Sequence, residues 1–381
     1  MELNGNLDSR FDPVADAFRD GFDSGRDVGA CCAATLDGEL VVDLWGGFTD
    51  RRKSQPWRQD TLVCMFSVTK AMTAICLLQA VDRGLVELDQ PVAHYWPEFA
   101  KHGKDSISVR QLMSHRAGLI GFHQPVSKEI YYHWEDMVAA LAEESPWWDP
   151  GSRHGYHART FGYLLGEVLR RVSGLTVGEW FREELAAPLK LDFAIGVPTA
   201  DLERCAQILP TRVRAGEKTI LPEPMQRMMR DFYDVSTPTG AAFQNPALGP
   251  GYMNSADFRQ AEMPALNGHG TARAVARLYG NINELLSTSV IDEATRTHSL
   301  GPDEVLKSIT RFGLGFQLYQ EEAPIGIRDG SFGHSGAGGS MAFYDPESKI
   351  GFCYAMNQMQ EGLITGGTSA MKVANSLYDC I

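Results

Sequence analysis

The 381-residue chain reads as an α/β protein of the α+β kind: an antiparallel sheet built from both termini, flanked by terminal helices, with a mainly helical lobe inserted. Three observations predict this. Strand-like runs lie near both ends, the middle of the chain carries helical periodicity, and the first two strand runs are joined by Asp37-Gly38, a favoured two-residue hairpin turn. The expected organisation is one lobe from residues 1–65 and 266–381, a second from 66–265, and a cleft between them.

The elements follow in order. Val28 to Leu36 and Glu39 to Trp45 form the hairpin. Ser67 then precedes Val68 to Arg83, a segment apolar almost all round that halts at Gly84, as a buried helix does. Further helices are expected at Val109 to His115 after a Ser108 cap, at Trp134 to Glu143, and at Ala158 to Val172 before Ser173-Gly174. Another runs from Val177 to Ala187, opened by the capping-box pair Thr176 and Glu179. Residues 200–265, rich in proline, read as long loops with short elements, and a helix follows from Thr271 to Leu286. Strands are expected at Phe312 to Leu318, Ser340 to Tyr344 and Gly351 to Met356, with a closing helix at Ser369 to Tyr378.

Composition narrows the function. With 35 basic against 48 acidic residues the formal charge is -13, and no basic block could follow a phosphate backbone or an anionic lipid, so neither nucleic acid nor a membrane is an expected partner. No basic, then apolar, leader opens the sequence, and no apolar window approaches a membrane span, so the expectation is a cytoplasmic protein. Seven cysteines, mostly in apolar runs and without C-x-x-C spacing, argue against a disulfide framework or a zinc site.

The chemistry centres on Ser67-Val68-Thr69-Lys70. A serine hydroxyl needs an adjacent base, and a lysine supplies one when desolvation lowers its proton affinity. Positions i and i+3 of a helix share a face, so Ser67 and Lys70 can enter one site, and the unpaired N–H groups of a helix's first turn suit a developing oxyanion. The bland alternatives are a helix cap for Ser67 and a solvated side chain for Lys70. Against them stands the apolar helix behind Lys70, which buries any side chain in its first turn.

Four segments in order, Phe66 to Lys70, Leu112-Met113-Ser114-His115-Arg116-Ala117-Gly118-Leu119, Pro150-Gly151-Ser152-Arg153-His154-Gly155-Tyr156 and Gly333-His334-Ser335-Gly336-Ala337-Gly338-Gly339, together resemble the penicillin-recognising serine hydrolases. The chain is most similar to their class C β-lactamase-like carboxylesterases, the family VIII esterases, over about residues 15–375. The resemblance implies a β-lactamase-like fold and a serine carboxylesterase acting on short-chain or aryl esters without a cofactor. In it Ser67 is the nucleophile, Lys70 its partner and Tyr156 the general base for acylation. The N–H groups of Ser67 and Ala337 form the oxyanion hole, and His334, Ser335 and Gly336 border the substrate. A β-lactamase or D-amino-acid peptidase would use the same Ser/Lys/Tyr machinery, and a non-catalytic ligand-binding relative is the third reading.

The sequence departs from the superfamily's pattern twice. His334-Ser335-Gly336 stands where Lys-Thr-Gly is usual, and Tyr156-His157-Ala158 where Tyr-x-Asn is usual. Loss of a permanent cation and of an amide favours neutral esters over β-lactams. Gly333-His334-Ser335-Gly336-Ala337 nearly matches a nucleophile elbow, but its last residue is not glycine and another strand follows it, so Ser335 is not the expected nucleophile. His115, His154, His157 and His269 take structural roles in this reading. Phe122, Tyr131, Tyr132, Trp147 and Trp148 are candidates for pocket walls or for core packing.

Overall fold

The computed structural model describes residues 2–211, 223–360 and 366–381. Its strands are β1 (Leu3–Leu7), β2 (Gly29–Leu36), β3 (Glu39–Gly47), β4 (Val63–Cys64), β5 (Phe193–Ile195), β6 (Gly268–Gly270), β7 (Ser299–Pro302), β8 (Ile309–Phe312), β9 (Gln317–Leu318), β10 (Phe332–Ser335), β11 (Met341–Asp345) and β12 (Ile350–Met356). Nine form one antiparallel sheet in the order β1-β3-β2-β12-β11-β10-β9-β8-β7, and β4, β6 and β5 form a small second sheet. The chain's two ends thus meet where β2 pairs with β12.

Both faces of the large sheet are covered, which is why its central strands are apolar throughout. Cys31, Ala33, Cys353 and Ala355 face one core, and their alternates Ala30, Cys32, Ala34, Phe352, Tyr354 and Met356 face another. The second core is closed by α1 (Asp12–Asp23) through Val14 and Phe18 and by the C-terminal helix Thr368–Tyr378 through Val373 and Leu377. The first receives the helix Ala272–Gly280 and α2 (Val68–Asp82). Thirteen of the fifteen residues of α2 are buried, and it ends where Gly84 takes a left-handed φ of 71°. Among the described residues no helix is long and apolar enough to cross a membrane.

The hairpin turn is as expected, with Asp37 at φ 52° and Gly38 at φ 83°, the pair of positive angles that matches strand twist. Capping boxes form at Ser108 with Gln111 and at Thr176 with Glu179. Three expectations are corrected. Phe312 to Leu318 is not one strand: Gly313-Leu314-Gly315 turns the chain, Gly313 N donates to Phe316 O, and β8 pairs back on β9. The helix expected to Leu286 breaks at Asn281, whose side chain donates to Arg277 O, and resumes over Ile282–Leu285. The helix at Val177 widens to a π-helix over Phe181–Ala186 before Pro188. Part of the proline-rich stretch, 212–222, lies outside the described residues. Among the elements missed were β1, whose Leu-Asn-Gly-Asn-Leu carries only two apolar residues, and the helix α1.

Candidate active site

The chain leaves β4 and enters α2 through Met65-Phe66-Ser67. Met65 is tied to the small sheet by its N–H to Gly268 O, 2.9 Å. Phe66 then adopts φ 48°, a left-handed conformation that costs a non-glycine residue about 1–2 kcal/mol. Thr69 holds that turn. Its hydroxyl donates to Phe66 O at 2.5 Å and accepts from Gly268 N–H at 2.8 Å. Strain kept in place by buried partners is a common mark of a functional turn.

Ser67 occupies the N-cap of α2, yet its side chain makes no capping hydrogen bond. Its partner is Lys70, whose Nζ lies 3.1 Å from Ser67 Oγ. Lys70 is fully buried, with its other two Nζ contacts the carbonyls of Ala158, 2.7 Å, and Ala265, 2.9 Å. Both bland alternatives therefore fail: the serine is not spent as a cap, and the lysine is not solvated. No carboxylate pairs with Lys70 among the described residues, and burial pushes its amine well below the ordinary lysine range. As a neutral amine it would donate its two N–H groups to the two carbonyls and turn its lone pair to the serine O–H.

Tyr156 stands over this pair, with Lys70 Nζ 4.7 Å from its ring centroid. Its ring is parallel to Phe312 within 12°, and its buried hydroxyl has no hydrogen-bond partner among the described residues. Burial raises the phenol above its usual proton affinity, while the nearby Ser67 hydroxyl acts the other way. The Tyr156 backbone N–H donates to Asp303 Oδ1 at 3.1 Å.

On the far wall, β10 carries His334 and Ser335. His334 Nδ1 lies 2.7 Å from Ser335 O and so carries the proton, leaving Nε2 a buried acceptor without a partner among the described residues. Burial and the Lys70 charge push this imidazole down to about 3. Ser335 uses its N–H and its hydroxyl on Gln317 Oε1, at 2.8 and 2.9 Å. It leads into a tight turn back to β11 rather than a helix, as expected for a residue that is not an elbow nucleophile. Gly336 permits the close approach of this turn to the serine loop, since a Cβ there would lie 2.3 Å from Met65 O. The Ser67 and Ala337 N–H groups have no backbone acceptor among the described residues.

The remaining histidines are structural, as read. His115 sits at φ 61° and its Nδ1 accepts from His157 N–H at 3.2 Å. His157 Nδ1 binds Gly155 O, its Nε2 accepts from Leu119 N–H, and burial pushes it down to about 3. His269 Nδ1 binds Asn267 O. Of the aromatics, Phe122 and Tyr131 belong to the main core, Tyr132 packs against it, and Trp147 and Trp148 pack on the apolar cluster around Tyr156. Sequence reasoning missed Thr69, Asp303, Phe312 and Gln317. Only Asp303, after Gly301-Pro302, carried a turn signal.

A family model described as Beta-lactamase matches residues 14–372. The esterase/beta-lactamase LipL of Mycobacterium tuberculosis is 35% identical, over 94% of this chain and 84% of that protein. A solved family VIII carboxylesterase shares 36% identity at a TM-score of 0.89, and a penicillin-binding protein homologue from Caulobacter crescentus 36% at 0.90, each covering 100% of both chains. The β-lactamase-like fold and the serine-hydrolase assignment are thereby shown, and the chain belongs to the beta-lactamase family, within the penicillin-recognising serine hydrolases.

Proposed function

We propose that this chain is a carboxylesterase that hydrolyses short-chain or aryl esters through an acyl-enzyme on Ser67, in a cleft between the lobe of residues 1–65 and 266–381 and that of 66–265. The observation that carries the reading is the 3.1 Å approach of a buried, carboxylate-free Lys70 Nζ to Ser67 Oγ. Ser67 Oγ attacks the ester carbonyl and its proton passes to Lys70. The resemblance alone gives Tyr156 the base's part. Burial, which raises the phenol and lowers the amine, favours Lys70 as the first proton acceptor instead. The tetrahedral oxyanion is held by the Ser67 and Ala337 N–H groups, each such donor being worth about 3 kcal/mol of barrier. As the C–O bond breaks, the Tyr156 hydroxyl protonates the leaving alkoxide and is reprotonated from Lys70. Water then attacks the acyl carbon, its proton enters the Tyr156–Lys70 pair and is returned to Ser67 Oγ as the acyl C–O bond breaks, releasing the acid and restoring the serine hydroxyl.

The neutral His334 supports ester over β-lactam, because it offers no cation to a substrate carboxylate. The second reading, a β-lactamase or D-amino-acid peptidase, draws on the double name of the 35% identical relative. The orphaned Tyr156 hydroxyl beside the Ser67–Lys70 pair supports catalysis over a binding-only role. The test is turnover of p-nitrophenyl acetate and butyrate beside a chromogenic cephalosporin, for wild type and Ser67→Ala. Ester turnover that vanishes in Ser67→Ala and exceeds cephalosporin turnover supports the proposal. Undiminished ester turnover in Ser67→Ala overturns it, and dominant cephalosporin turnover moves the assignment to the second reading.

A further inference from the structure

Asp303 is buried, 2% exposed, in a turn remote in sequence from every motif residue. Its Oδ1 accepts three backbone N–H groups: Tyr156 at 3.1 Å, Val305 at 2.8 Å and Leu306 at 2.8 Å. The last two bonds close the turn on itself, and the first reaches across 147 residues to the main chain of Tyr156. Oδ2 accepts from the Thr310 hydroxyl at 3.2 Å, and that hydroxyl is 2.8 Å from His154 Nε2. His154 lies two residues before Tyr156, so the carboxylate grips that segment at two places, once directly and once through Thr310. The segment's own backbone closes the loop, since Glu304 N–H donates to His154 O at 3.1 Å. Two residues beyond Thr310, Phe312 lies parallel to the Tyr156 ring, within 12° at 6.0 Å. One short stretch of chain, 303–312, therefore holds both the backbone and the ring of Tyr156.

We propose that Asp303 is a positioning residue for Tyr156, fixing through its Oδ1 bond and its Thr310–His154 bridge where the Tyr156 hydroxyl stands above the Ser67–Lys70 pair. The proposal rests on the catalytic reading of Tyr156 given above. A carboxylate that only stabilised the 303–306 turn would need neither the Tyr156 N–H nor the bridge to His154. The Tyr156 hydroxyl itself has no hydrogen-bond partner among the described residues. Main-chain anchorage and ring packing are thus what sets that hydroxyl's place.

The experiment is a double-mutant cycle on p-nitrophenyl butyrate with Asp303→Ala, Asp303→Asn, Tyr156→Phe and the combinations. Asp303→Ala should lower kcat by about tenfold or more with KM changed by less than about threefold, because ground-state binding does not need the Tyr156 hydroxyl. Asp303→Asn keeps an Oδ1 acceptor and, with Thr310 rotated to accept from Nδ2, should regain part of the lost kcat. In the Tyr156→Phe background, Asp303→Ala should cost less than about twofold further. If it costs as much there as in wild type, Asp303 does not act through Tyr156 and the inference falls while the esterase reading stands. If Tyr156→Phe itself keeps full kcat, the role of Tyr156 and this inference fall together. Should Asp303→Ala not fold, Thr310→Val carries the same cycle: a smaller fall in kcat that disappears with Tyr156→Phe supports the proposal, and one that persists overturns it.

Discussion

Lys70→Met separates the lysine's chemistry from its packing. The substitution keeps the volume of a fully buried side chain and deletes the amine. Two bonds, to the Ala158 and Ala265 carbonyls, are lost, which costs about 2 kcal/mol at about 1 kcal/mol each. Against this, the wild type suffers a penalty that methionine escapes. Burial lowers the Lys70 proton affinity, so below about pH 10.4 the unfolded chain binds a proton more tightly than the folded one, at about 1.4 kcal/mol for each tenfold difference in affinity. Stability contributed by this group therefore rises with pH from neutrality toward 10. Near pH 7 the two contributions oppose each other, and the wild type should gain steadily on the variant as pH is raised. Other titrating groups cancel in the comparison. Chemical denaturation of both proteins between pH 7 and 10 reads the difference. Acylation should meanwhile fall by about 10²–10⁴ for want of a base, read as the burst with p-nitrophenyl acetate. A stability difference that does not move with pH, or a burst rate within tenfold of wild type, refutes the account of Lys70 as a desolvated base.

Three further outcomes follow from the same geometry. Gly336→Ala places a Cβ 2.2 Å from Ser340 Oγ and 2.3 Å from Met65 O, so the turn must withdraw from the serine loop; stability should fall by about 1–3 kcal/mol and kcat with it, and unchanged kcat would show that the turn does not help shape the oxyanion site. Thr69→Val removes the hydroxyl that links Phe66 O to Gly268 N–H, for a loss of about 2 kcal/mol in denaturant titration and a fall in kcat as the left-handed Phe66 relaxes. His334, pushed down to about 3, stays neutral from pH 7.5 to 5.5, so the kcat/KM of a carboxylate-bearing cephalosporin relative to a neutral ester should not rise over that range; a tenfold rise would mean that the imidazole protonates there.

The residues that declared themselves in the sequence are those whose signal is local. Asp37-Gly38 specifies its turn from two residues, the apolar run after Ser67 can only be a buried helix, and a Ser108 cap and the Thr176–Glu179 spacing mark two helix starts. What stayed hidden is set by partners far along the chain. Lys70 is held by carbonyls 88 and 195 residues away, which belong to alanines and so have no side-chain signature. Asp303 looked like any acid in a turn, because its bond to Tyr156 exists only once β8 lies beside that segment. The same limit produced the wrong strand at Phe312 to Leu318, where an apolar run concealed a Gly-Leu-Gly reversal.

The two departures from the superfamily's pattern act as one change once the geometry is known. Ala158, standing where an amide is usual, still serves the site through its carbonyl, which takes one of the Lys70 N–H groups at 2.7 Å. His334, standing where an ammonium is usual, is driven neutral chiefly by its burial. A second cation in that place would in turn repel a charged Lys70, making its proton still easier to lose but drawing anions toward the serine. With a neutral ring there, desolvation alone must prepare the amine, and it does so in a site that offers no charge for a substrate carboxylate to meet. Burying the substrate's own charge beside Ser67 would then go uncompensated, a cost of several kcal/mol that a neutral ester avoids. In the proposed reading, preference for neutral esters and activation of Ser67 thus have a common physical source, the exclusion of water and of counter-charge around Lys70.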